Sequence, residues 1–323
     1  MLKIQAYHCP KYLDEAISLL SEPDAGRTVI AGGTDLLVNP RYMVGVREVV
    51  DLRDLDLAFI SGPEDGAVER EVRGEAESAD ARRAQAPAAV GANGGMIAIG
   101  ACATMRQVAR SPRIQRLASG ILARSAAVCA SPNIRTMATL GGNTASALPS
   151  ADTPPPLLAL DALVVLAGAQ GRRAVPLADF FTGPARSIRQ PGEIIAEFQL
   201  PQPPAEMRGG FYKIGRVSDD IAMVNAAVTL VVRDGIIAQA RVALGAVAPT
   251  PLRARAAEAV LEGQPPTEEV FQRAANAAVE AVRPISDQRA SADYRRRMSG
   301  VATLRALRQA AGFAPQPEEW HHA

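Results

Sequence analysis

The sequence has few of the side chains on which self-contained active sites and metal sites usually depend. Its 323 residues include only three cysteines and three histidines, and aromatic residues make up 4% of the chain. Cys9, Cys102 and Cys129 show no CxxC spacing, which argues against a disulfide framework and a four-cysteine iron–sulfur site within this chain. Because His321 and His322 lie in a polar tail, neither an HExxH zinc site nor a central Ser-His-Asp triad is expected. We therefore expect no metal site, and chemistry supplied by a cofactor.

An excess of charge of either sign is also missing. The formal net charge is +1 and the isoelectric point is near 7.8, so no strong field would attract nucleic acid or an anionic membrane surface. No apolar run reaches the roughly 18 residues that a membrane helix needs, and residues 1–20 do not have the pattern of a signal peptide. We expect a cytoplasmic protein with no nucleic-acid partner and no membrane insertion.

The apolar residues that are present, 48% of the chain and mostly aliphatic, are typical of a compact protein of mixed α and β structure. In the first part of the chain, the patterns predict a helix at 13–20 and a longer helix at 113–130. Strands are predicted at 27–30, 49–52, 96–100 and 194–200, with a hairpin of 162–167 and 172–176. Residues 131–154 are rich in small and polar side chains and indicate a loop.

The pattern changes beyond the proline-rich break at 201–204. Strands are predicted at 210–216, 225–233 and 238–246, and helices at 252–261, 267–282 and 292–310. A run of strands followed by a run of helices favours a separate α+β domain with helices against one sheet face. A second change of composition, at 61–95, predicts an exposed insertion because the segment has almost nothing to bury. A partner-binding arm is the alternative interpretation of this insertion.

Two glycine pairs carry the first indication of a ligand. They lie in the segments Ala31-Gly-Gly-Thr-Asp35 and Thr139-Leu-Gly-Gly-Asn143. Glycine allows positive φ angles and close approach of backbone N–H groups to a ligand, and a concave run of such groups suits a diphosphate. Neither segment matches GxGxxG or the Walker pattern, so the sequence leaves open a dinucleotide site outside the Rossmann class.

These segments, with two others, carry a resemblance to a known family. The loops at 31–35 and 139–143, the pair Ala151-Asp152, and Phe211-Tyr-Lys-Ile-Gly-Arg216 followed by Asp219-Asp-Ile-Ala222 occur in the order seen in the FAD-binding medium subunits of the molybdenum hydroxylases. This is the xanthine dehydrogenase family, which includes the flavoprotein subunits of carbon monoxide dehydrogenase and 4-hydroxybenzoyl-CoA reductase. The resemblance spans nearly the whole chain.

The resemblance implies a fold and a division into domains. The fold class is α+β, with a PCMH-type, vanillyl-alcohol-oxidase-like FAD-binding domain of two α/β subdomains over residues 1–204. Within it, residues 1–55 form the N-terminal subdomain and residues 61–95 the exposed insertion. A C-terminal domain with a three-stranded antiparallel sheet and a helix bundle is expected at 205–312, followed by a tail at 313–323.

The resemblance also implies which residues bind FAD. The diphosphate would be held by the first loop, through Ala31, Gly32, Gly33, Thr34 and Asp35, and by the second, through Thr139, Gly142, Asn143 and Ser146. Asp152 matches a residue that binds the adenosine portion, although the N-cap of a helix is an alternative role. Ile194 or Ile195 would contact the adenine. Lys213 would lie at the flavin, where a cation raises the potential of the cofactor, although a surface lysine on a strand is the alternative.

Cys129 is a departure from the family pattern. It occupies the position at which xanthine dehydrogenases carry an aromatic side chain near the isoalloxazine ring, and a thiol cannot stack on that ring in the same way. This chain also lacks the extra cysteines that ligate a 4Fe-4S cluster in the 4-hydroxybenzoyl-CoA reductase flavoprotein. FAD is therefore expected to be its sole redox centre, and no residue of the chain is assigned a catalytic role.

The implied function is electron transfer within a multi-subunit oxidoreductase. A large molybdopterin-binding subunit would hydroxylate the substrate, and a small subunit with two 2Fe-2S clusters would relay electrons to the FAD of this chain. The expected assembly is a heterotrimer or a dimer of heterotrimers, with NAD, a quinone, oxygen or a carrier protein as the external acceptor. Two alternatives remain at this point, a self-contained flavin oxidase and an assembly scaffold without FAD.

Overall fold

The structure of the protein is a computed structural model, which describes residues 4–22, 26–39, 43–63 and 95–313. Most of the expected insertion and nearly all of the expected tail lie outside these residues. The described chain forms three sheets of three or more strands, each packed against helices. Within the described ranges, no helix combines the length and the apolar character that crossing a bilayer requires.

The N-terminal layer is a small parallel sheet with the third strand in its centre. Its strands are β1 (Ala6–His8), β2 (Arg27–Ile30) and β3 (Glu48–Asp51), in the order β1-β3-β2. Helix α1 (Leu13–Ser21) buries Ala16 and Ile17 in a small apolar core with Val50, as its apolar spacing predicts. Because β2 ends at Ile30, the first glycine loop begins at the end of a strand.

The middle layer is an antiparallel sheet with the order β4-β5-β10-β6-β7. These strands are β4 (Ile60–Ser61), β5 (Met96–Gly100), β6 (Leu163–Gly168), β7 (Gly171–Pro176) and β10 (Ile194–Pro201). Between β7 and β10, a two-stranded sheet is formed by β8 (Phe181–Gly183) and β9 (Arg186–Ser187). Phe198 on β10 is fully buried in the largest apolar core, as are Phe180 and Leu157 from the neighbouring helices.

Short helices cover this sheet, and they differ from the prediction. They are α2 (Met105–Arg110), α3 (Pro112–Arg116), α4 (Ile121–Ala127), α5 (Pro132–Arg135), α6 (Leu140–Ala145), α7 (Pro154–Ala159) and α8 (Leu177–Phe180). The single helix predicted at 113–130 is wrong because Ala118, Ser119 and Gly120 have φ angles of 44°, 56° and 76°. Such left-handed angles end a helix. The loop predicted over 131–154 instead contains α5 and α6.

The C-terminal layer has four antiparallel strands where three were expected. They are β11 (Arg208–Ile214), β12 (Val224–Arg233), β13 (Ile236–Gly245) and the short β14 (Leu252–Arg253), in sequential order. The predicted helix at 252–261 begins later, because Leu252 and Arg253 pair with β13 as the extra strand. Helices α9 (Arg255–Leu261), α10 (Glu268–Ala281) and α11 (Ala292–Ala311) pack on this sheet around a second large core that contains Phe271.

The proposed domain boundary at 204/205 lies in the connection between β10 and β11. It remains a prediction that the two sides are separate domains. In the segment that contains α6 and α7, α6 contacts β10 of the middle sheet and α7 contacts β12 and β13 of the C-terminal sheet, and Asp152 between them bonds to β11 and β12.

Candidate functional site

The first glycine loop lies directly against the chain that leads into the second. A Cβ atom on Gly32 would lie 1.9 Å from the carbonyl oxygen of Met137, so only glycine allows this approach. Met137 precedes Thr139 by two residues. The structure thus brings together two segments that are about a hundred positions apart in the sequence.

The first loop also presents backbone donors. Gly33 has a φ angle of +71°, which favours glycine. Among the described residues, the N–H groups of Gly32, Gly33, Thr34 and Asp35 donate to no protein acceptor. The loop accepts hydrogen bonds at the Gly33 and Asp35 carbonyls, from the N–H groups of Leu37 and Asn39. A short run of free N–H groups is the arrangement that suits an anion such as a diphosphate.

The second glycine pair is built differently from the first. Thr139 caps helix α6, and its Oγ1 accepts a hydrogen bond from the Gly142 N–H at 3.0 Å. The N–H groups of Leu140 and Gly141 donate to the carbonyls of Ala103 and Ala101. The expectation of a row of free N–H groups is therefore wrong for this segment, because the helix and the neighbouring chain already use them.

The two glycines of this pair have different surroundings. A Cβ atom on Gly141 would lie 2.6 Å from the carbonyl oxygen of Ala101, so Gly141 is needed for packing inside the protein. A Cβ atom on Gly142 would meet only Thr139 Oγ1, at 3.0 Å, among the described atoms within 4 Å. Gly142 is exposed and borders free space. Gly142 therefore leaves room for a ligand, because it has no side chain at this exposed position.

Polar side chains continue from α6 towards α7. Asn143 Oδ1 accepts a hydrogen bond from Thr153 Oγ1 at 2.6 Å, and Ser146 Oγ donates to the Asn143 carbonyl at 3.0 Å. These contacts fix the Asn143 side chain. Its Nδ2 group has no acceptor among the described residues and can donate to a ligand.

Asp152 and Lys213 form a buried ion pair beside these segments. Lys213 Nζ donates to Asp152 Oδ2 at 2.8 Å and to the Val128 carbonyl at 2.9 Å. The side chains of the lysine and the aspartate are 8% and 7% exposed. Burial raises the pKa of the Asp152 carboxyl, while Lys213 and a hydrogen bond from Asn225 oppose that rise. Asp152 is not the N-cap of α7, since Thr153 has that position.

Cys129 lies within electrostatic reach of both this ion pair and the first loop. Burial, followed by the negative charge of Asp152, raises the pKa of its thiol to about 12, so the thiol is neutral at physiological pH. Lys213 and Arg135 act in the opposite direction, and Asp35 in the same direction as Asp152. Because Asp35 belongs to the first glycine loop, the loop and the ion pair border one region.

The ion pair is inconsistent with the predicted assignment of Asp152 and Lys213 to different ends of FAD. Asp152 was assigned to the adenosine portion of FAD and Lys213 to the flavin, yet their charged atoms are 2.8 Å apart. The adenine and the isoalloxazine are at opposite ends of an extended FAD. If both residues contact an extended FAD, they contact the same part of it.

The two isoleucines assigned to adenine are 1% and 4% exposed on β10. Ile194 packs in the small N-terminal core and Ile195 in the large middle core. Both therefore support the sheet, and a contact between either side chain and adenine remains a prediction.

Sequence reasoning missed Asn225, which contacts the ion pair, and Arg135, which contacts the turn beside it. Asn225 donates to Asp152 Oδ1 at 3.2 Å, and Arg135 donates to the Cys129 carbonyl at 3.3 Å. The sequence could have indicated Asn225, because it is a polar residue at the start of the apolar strand β12. A buried polar residue in such a strand usually has a specific partner. The roles of Arg135 and the Val128 carbonyl depend on a turn that the sequence did not predict.

Two family models match adjoining parts of the chain. The FAD binding domain in molybdopterin dehydrogenase matches residues 85–203, and the CO dehydrogenase flavoprotein C-terminal domain matches residues 210–310. The first match contains the second glycine pair, Cys129 and Asp152, and the second contains Lys213.

Similar proteins extend the likeness over almost the whole chain. The carbon monoxide dehydrogenase medium chain of Afipia carboxidovorans is 31% identical over 310 residues, 95% of this chain and 97% of the relative. A putative xanthine dehydrogenase FAD-binding subunit of Escherichia coli is 29% identical over 97% of this chain and 98% of its own. A solved carbon monoxide dehydrogenase from Hydrogenophaga pseudoflava is 31% identical with a TM-score of 0.82, covering 97% of this chain and 99% of that chain.

Proposed function

Since the chain belongs to the family of FAD-binding medium subunits of the carbon monoxide and xanthine dehydrogenases, we propose that it is the electron-transfer subunit of a molybdenum hydroxylase complex. FAD, when bound, supplies the exchange of electrons, singly or in pairs, between the 2Fe-2S clusters of a small partner subunit and an external acceptor. The acceptor is NAD, a quinone, oxygen or a carrier protein. A large molybdopterin-binding subunit carries out the hydroxylation.

The observation that carries this proposal is the meeting of the two glycine segments. Gly32 lies against the Met137 carbonyl, the first loop has four N–H groups without a protein acceptor among the described residues, and Gly142 borders free space. Residues 31–35 hold the diphosphate through these N–H groups, and Gly142 leaves room for it. Asn143 and Ser146 add polar groups at the same side of α6.

The second part of the proposal concerns the flavin. The region bordered by Cys129, Asp152 and Lys213 would receive the isoalloxazine end of the cofactor, and Lys213 would supply a positive charge near the reacting ring. An ammonium has three N–H donors, of which two contact Asp152 and Val128. The third is available to an oxygen of the ring, which supports a role in tuning the flavin potential.

The partners and the assembly follow from the family. The relatives are medium chains of carbon monoxide dehydrogenases and FAD-binding subunits of xanthine dehydrogenases, which supports an assembly with a small 2Fe-2S subunit and a large molybdenum subunit, as a heterotrimer or a dimer of heterotrimers. The isolated subunit is then yellow but is not reduced by small alcohols or amines, because the substrate reacts on another chain. Rapid reduction of the isolated subunit by such a compound would contradict this proposal and favour a self-contained oxidase.

The FAD assignment is tested by two substitutions at one position. Gly142→Ala adds only a methyl group, so the apoprotein keeps its stability or gains about 0.5–1 kcal/mol from helix propensity, while FAD binding weakens. Gly142→Val places a branched side chain in the free space and abolishes FAD binding. Flavin absorbance per polypeptide and thermal unfolding of the apoprotein measure the two effects. Full flavin content in folded Gly142→Val would remove Gly142 from the site.

A further inference from the structure

Three residues on neighbouring strands form a row across the C-terminal sheet. Lys213 on β11 is the register partner of Asn225 on β12, and Asn225 is the register partner of Gly245 on β13. Directly paired residues of antiparallel strands point to the same face. The row therefore presents a cation, an amide and a glycine towards the segment that contains Asp152.

Asn225 makes two hydrogen bonds to that segment. Its Nδ2 group donates to Asp152 Oδ1 and to the Ala151 carbonyl, both at 3.2 Å. The two oxygens of the Asp152 carboxylate are thus shared between the row's first two members, Lys213 on Oδ2 and Asn225 on Oδ1. The carboxylate is therefore hydrogen-bonded at both oxygens, by the lysine at 2.8 Å and by the amide at 3.2 Å.

The orientation of the Asn225 amide follows from its neighbours. Both partners of Nδ2 are acceptors, so a flipped amide would place oxygen against oxygen. In the observed orientation Oδ1 is buried and has no hydrogen-bond donor among the described residues. An unsatisfied buried oxygen costs free energy, and an apolar side chain would fill this position without that cost. The asparagine is therefore explained by its hydrogen bonds and not by packing alone.

Gly245 completes the arrangement by its lack of a side chain. A Cβ atom there would lie 2.2 Å from Asn225 Oδ1 and 3.0 Å from Pro155 Cγ. Glycine at this register position leaves room for the Asn225 amide and for Pro155 beside β13. Gly245 therefore makes room for the Asn225 amide, and that amide in turn contacts Asp152.

We infer that Asn225 is a positioning residue for the flavin, because its amide fixes the Asp152 carboxylate that holds the Lys213 ammonium. This inference rests on the proposed function, which places Lys213 at the isoalloxazine. Asn225 does not itself contact the cofactor. Its hydrogen bond favours the ionised form of the Asp152 carboxyl and orients that group against the Lys213 ammonium.

Loss of the amide has a defined electrostatic consequence. The Asp152 carboxyl loses a hydrogen bond to its charged form, and burial then raises its pKa further. The other charged or titratable groups that face this carboxyl or the neighbouring thiol are Lys213 on β11, Cys129, Asp35 in the first loop and Arg135 on α5. Below the raised pKa, the neutral carboxyl leaves the Lys213 charge uncompensated, and the flavin potential rises.

The test is a spectroelectrochemical titration of the flavin in the holo-subunit across the neutral pH range. Asn225→Leu, which has a similar volume, is expected to raise the potential on the acidic side by about 30 mV, equivalent to a tenfold change for a two-electron couple. The shift should disappear towards alkaline pH. If Asn225→Leu does not fold, Asn225→Ser is expected to shift the potential in the same direction by a smaller amount.

A matched control is available on the same strand and the same face. Thr229 is buried, and its Oγ1 donates to the Ala159 carbonyl at 3.1 Å, but it does not contact the ion pair. Thr229→Val should therefore lower the unfolding temperature and leave the flavin potential unchanged. An equal shift of potential in Thr229→Val would show a general structural effect and overturn the inference.

A double variant distinguishes failure of the inference from failure of the proposed function. Lys213→Met with Asp152→Asn replaces the ion pair by neutral groups, so it should shift the potential and abolish any further effect of Asn225→Leu. An unchanged potential in the double variant would contradict the placement of the flavin. A shift in the double variant, with none in Asn225→Leu at any pH, would overturn the role of Asn225 alone.

Discussion

At the scale of single residues, the candidate site contains one carboxylate, Asp152, and one ammonium, Lys213, that are both almost completely buried. A buried ion pair adds little net stability, because the desolvation of two charges offsets their attraction. Removal of one partner is costly, since the other charge is then left buried without compensation. Asp152 and Lys213 are in this situation, with exposed fractions of 7% and 8%.

Lys213→Met in the apoprotein is predicted to lower the free energy of unfolding by about 3–5 kcal/mol at neutral pH. Without the ammonium, burial raises the pKa of the Asp152 carboxyl further above its value in the unfolded chain. The folded state then binds the proton more tightly, so stability is retained at acidic pH and is lost as the pH rises through the raised pKa. Urea unfolding at a series of pH values measures this dependence.

The control for this prediction is the double variant Lys213→Met with Asp152→Asn, in which the new pH dependence should be absent. Wild-type stability of Lys213→Met at neutral pH would mean that the ion pair is more hydrated than its burial indicates.

The cysteines allow a second prediction at this scale. Cys9 is exposed, whereas burial raises the pKa of Cys102 and of Cys129 to about 12. Since the thiolate is the reactive form, iodoacetamide at neutral pH should alkylate Cys9 alone in the folded protein. Mass spectrometry locates the label, and unfolding in urea should make all three thiols reactive. Fast labelling of folded Cys129 would show that the thiol is accessible and contradict its burial.

At the scale of helices and strands, local signals explain what the sequence could predict. Strand β5 has the predicted bounds, Met96–Gly100, and α1 differs from its prediction by one residue, because their apolar patterns are complete within each segment. Helix α6 was missed although Thr139 is a good N-cap residue, since two glycines in six residues disfavour a helix. Close packing of Gly141 on Ala101 overrides that propensity, and such packing is not visible in the sequence.

In the candidate site too, some features could be predicted from the sequence and others could not. The glycine pairs were recognised because they are contiguous in the sequence, and the family resemblance supplied Asp152 and Lys213. The contact between those two residues, the role of Asn225 and the turn at 118–120 depend on how strands and helices approach each other. Only the three-dimensional structure provides these facts.

The contact between the glycine segments gives a prediction at this scale. Gly32→Ala would place a methyl group 1.9 Å from the Met137 carbonyl oxygen, which neither segment can accommodate without moving apart. We expect a loss of about 1–3 kcal/mol in the free energy of unfolding and a loss of bound FAD. Flavin content and thermal unfolding measure both effects, with Gly142→Ala as the control for the apoprotein. Normal flavin content in Gly32→Ala would separate this contact from FAD binding.

At the scale of the whole molecule, the C-terminal sheet holds the segment on which the candidate site is built. The Ala246 N–H donates to the Pro149 carbonyl at 2.6 Å, and Arg253 donates to the carbonyl of Leu158 at 3.2 Å. Arg253 also forms ion pairs with Asp161 and Glu258. The C-terminal sheet thus supports the segment on which the proposed FAD site is built.

Arg253→Met tests this dependence at a distance from the glycine segments. The substitution leaves Glu258, which is 5% exposed, without its 2.5 Å partner, so we expect a loss of about 3–5 kcal/mol in stability and weaker FAD retention. Arg255→Met is the control, because Arg255 pairs with the same Glu258 but its side chain is 68% exposed. Its effect should be within about 1 kcal/mol. Equal effects of the two variants would contradict a special role for Arg253.

The row of Lys213, Asn225 and Gly245 has a consequence for biosynthesis. A ribosome makes the two glycine segments first, and domains tend to fold as they emerge. A nascent chain that ends at β10 already has both glycine segments, but it lacks the ammonium, the amide and the strand that supports them. If the proposed site is right, we expect FAD to bind only after the C-terminal sheet has been made, and chains that terminate at β10 to carry no flavin.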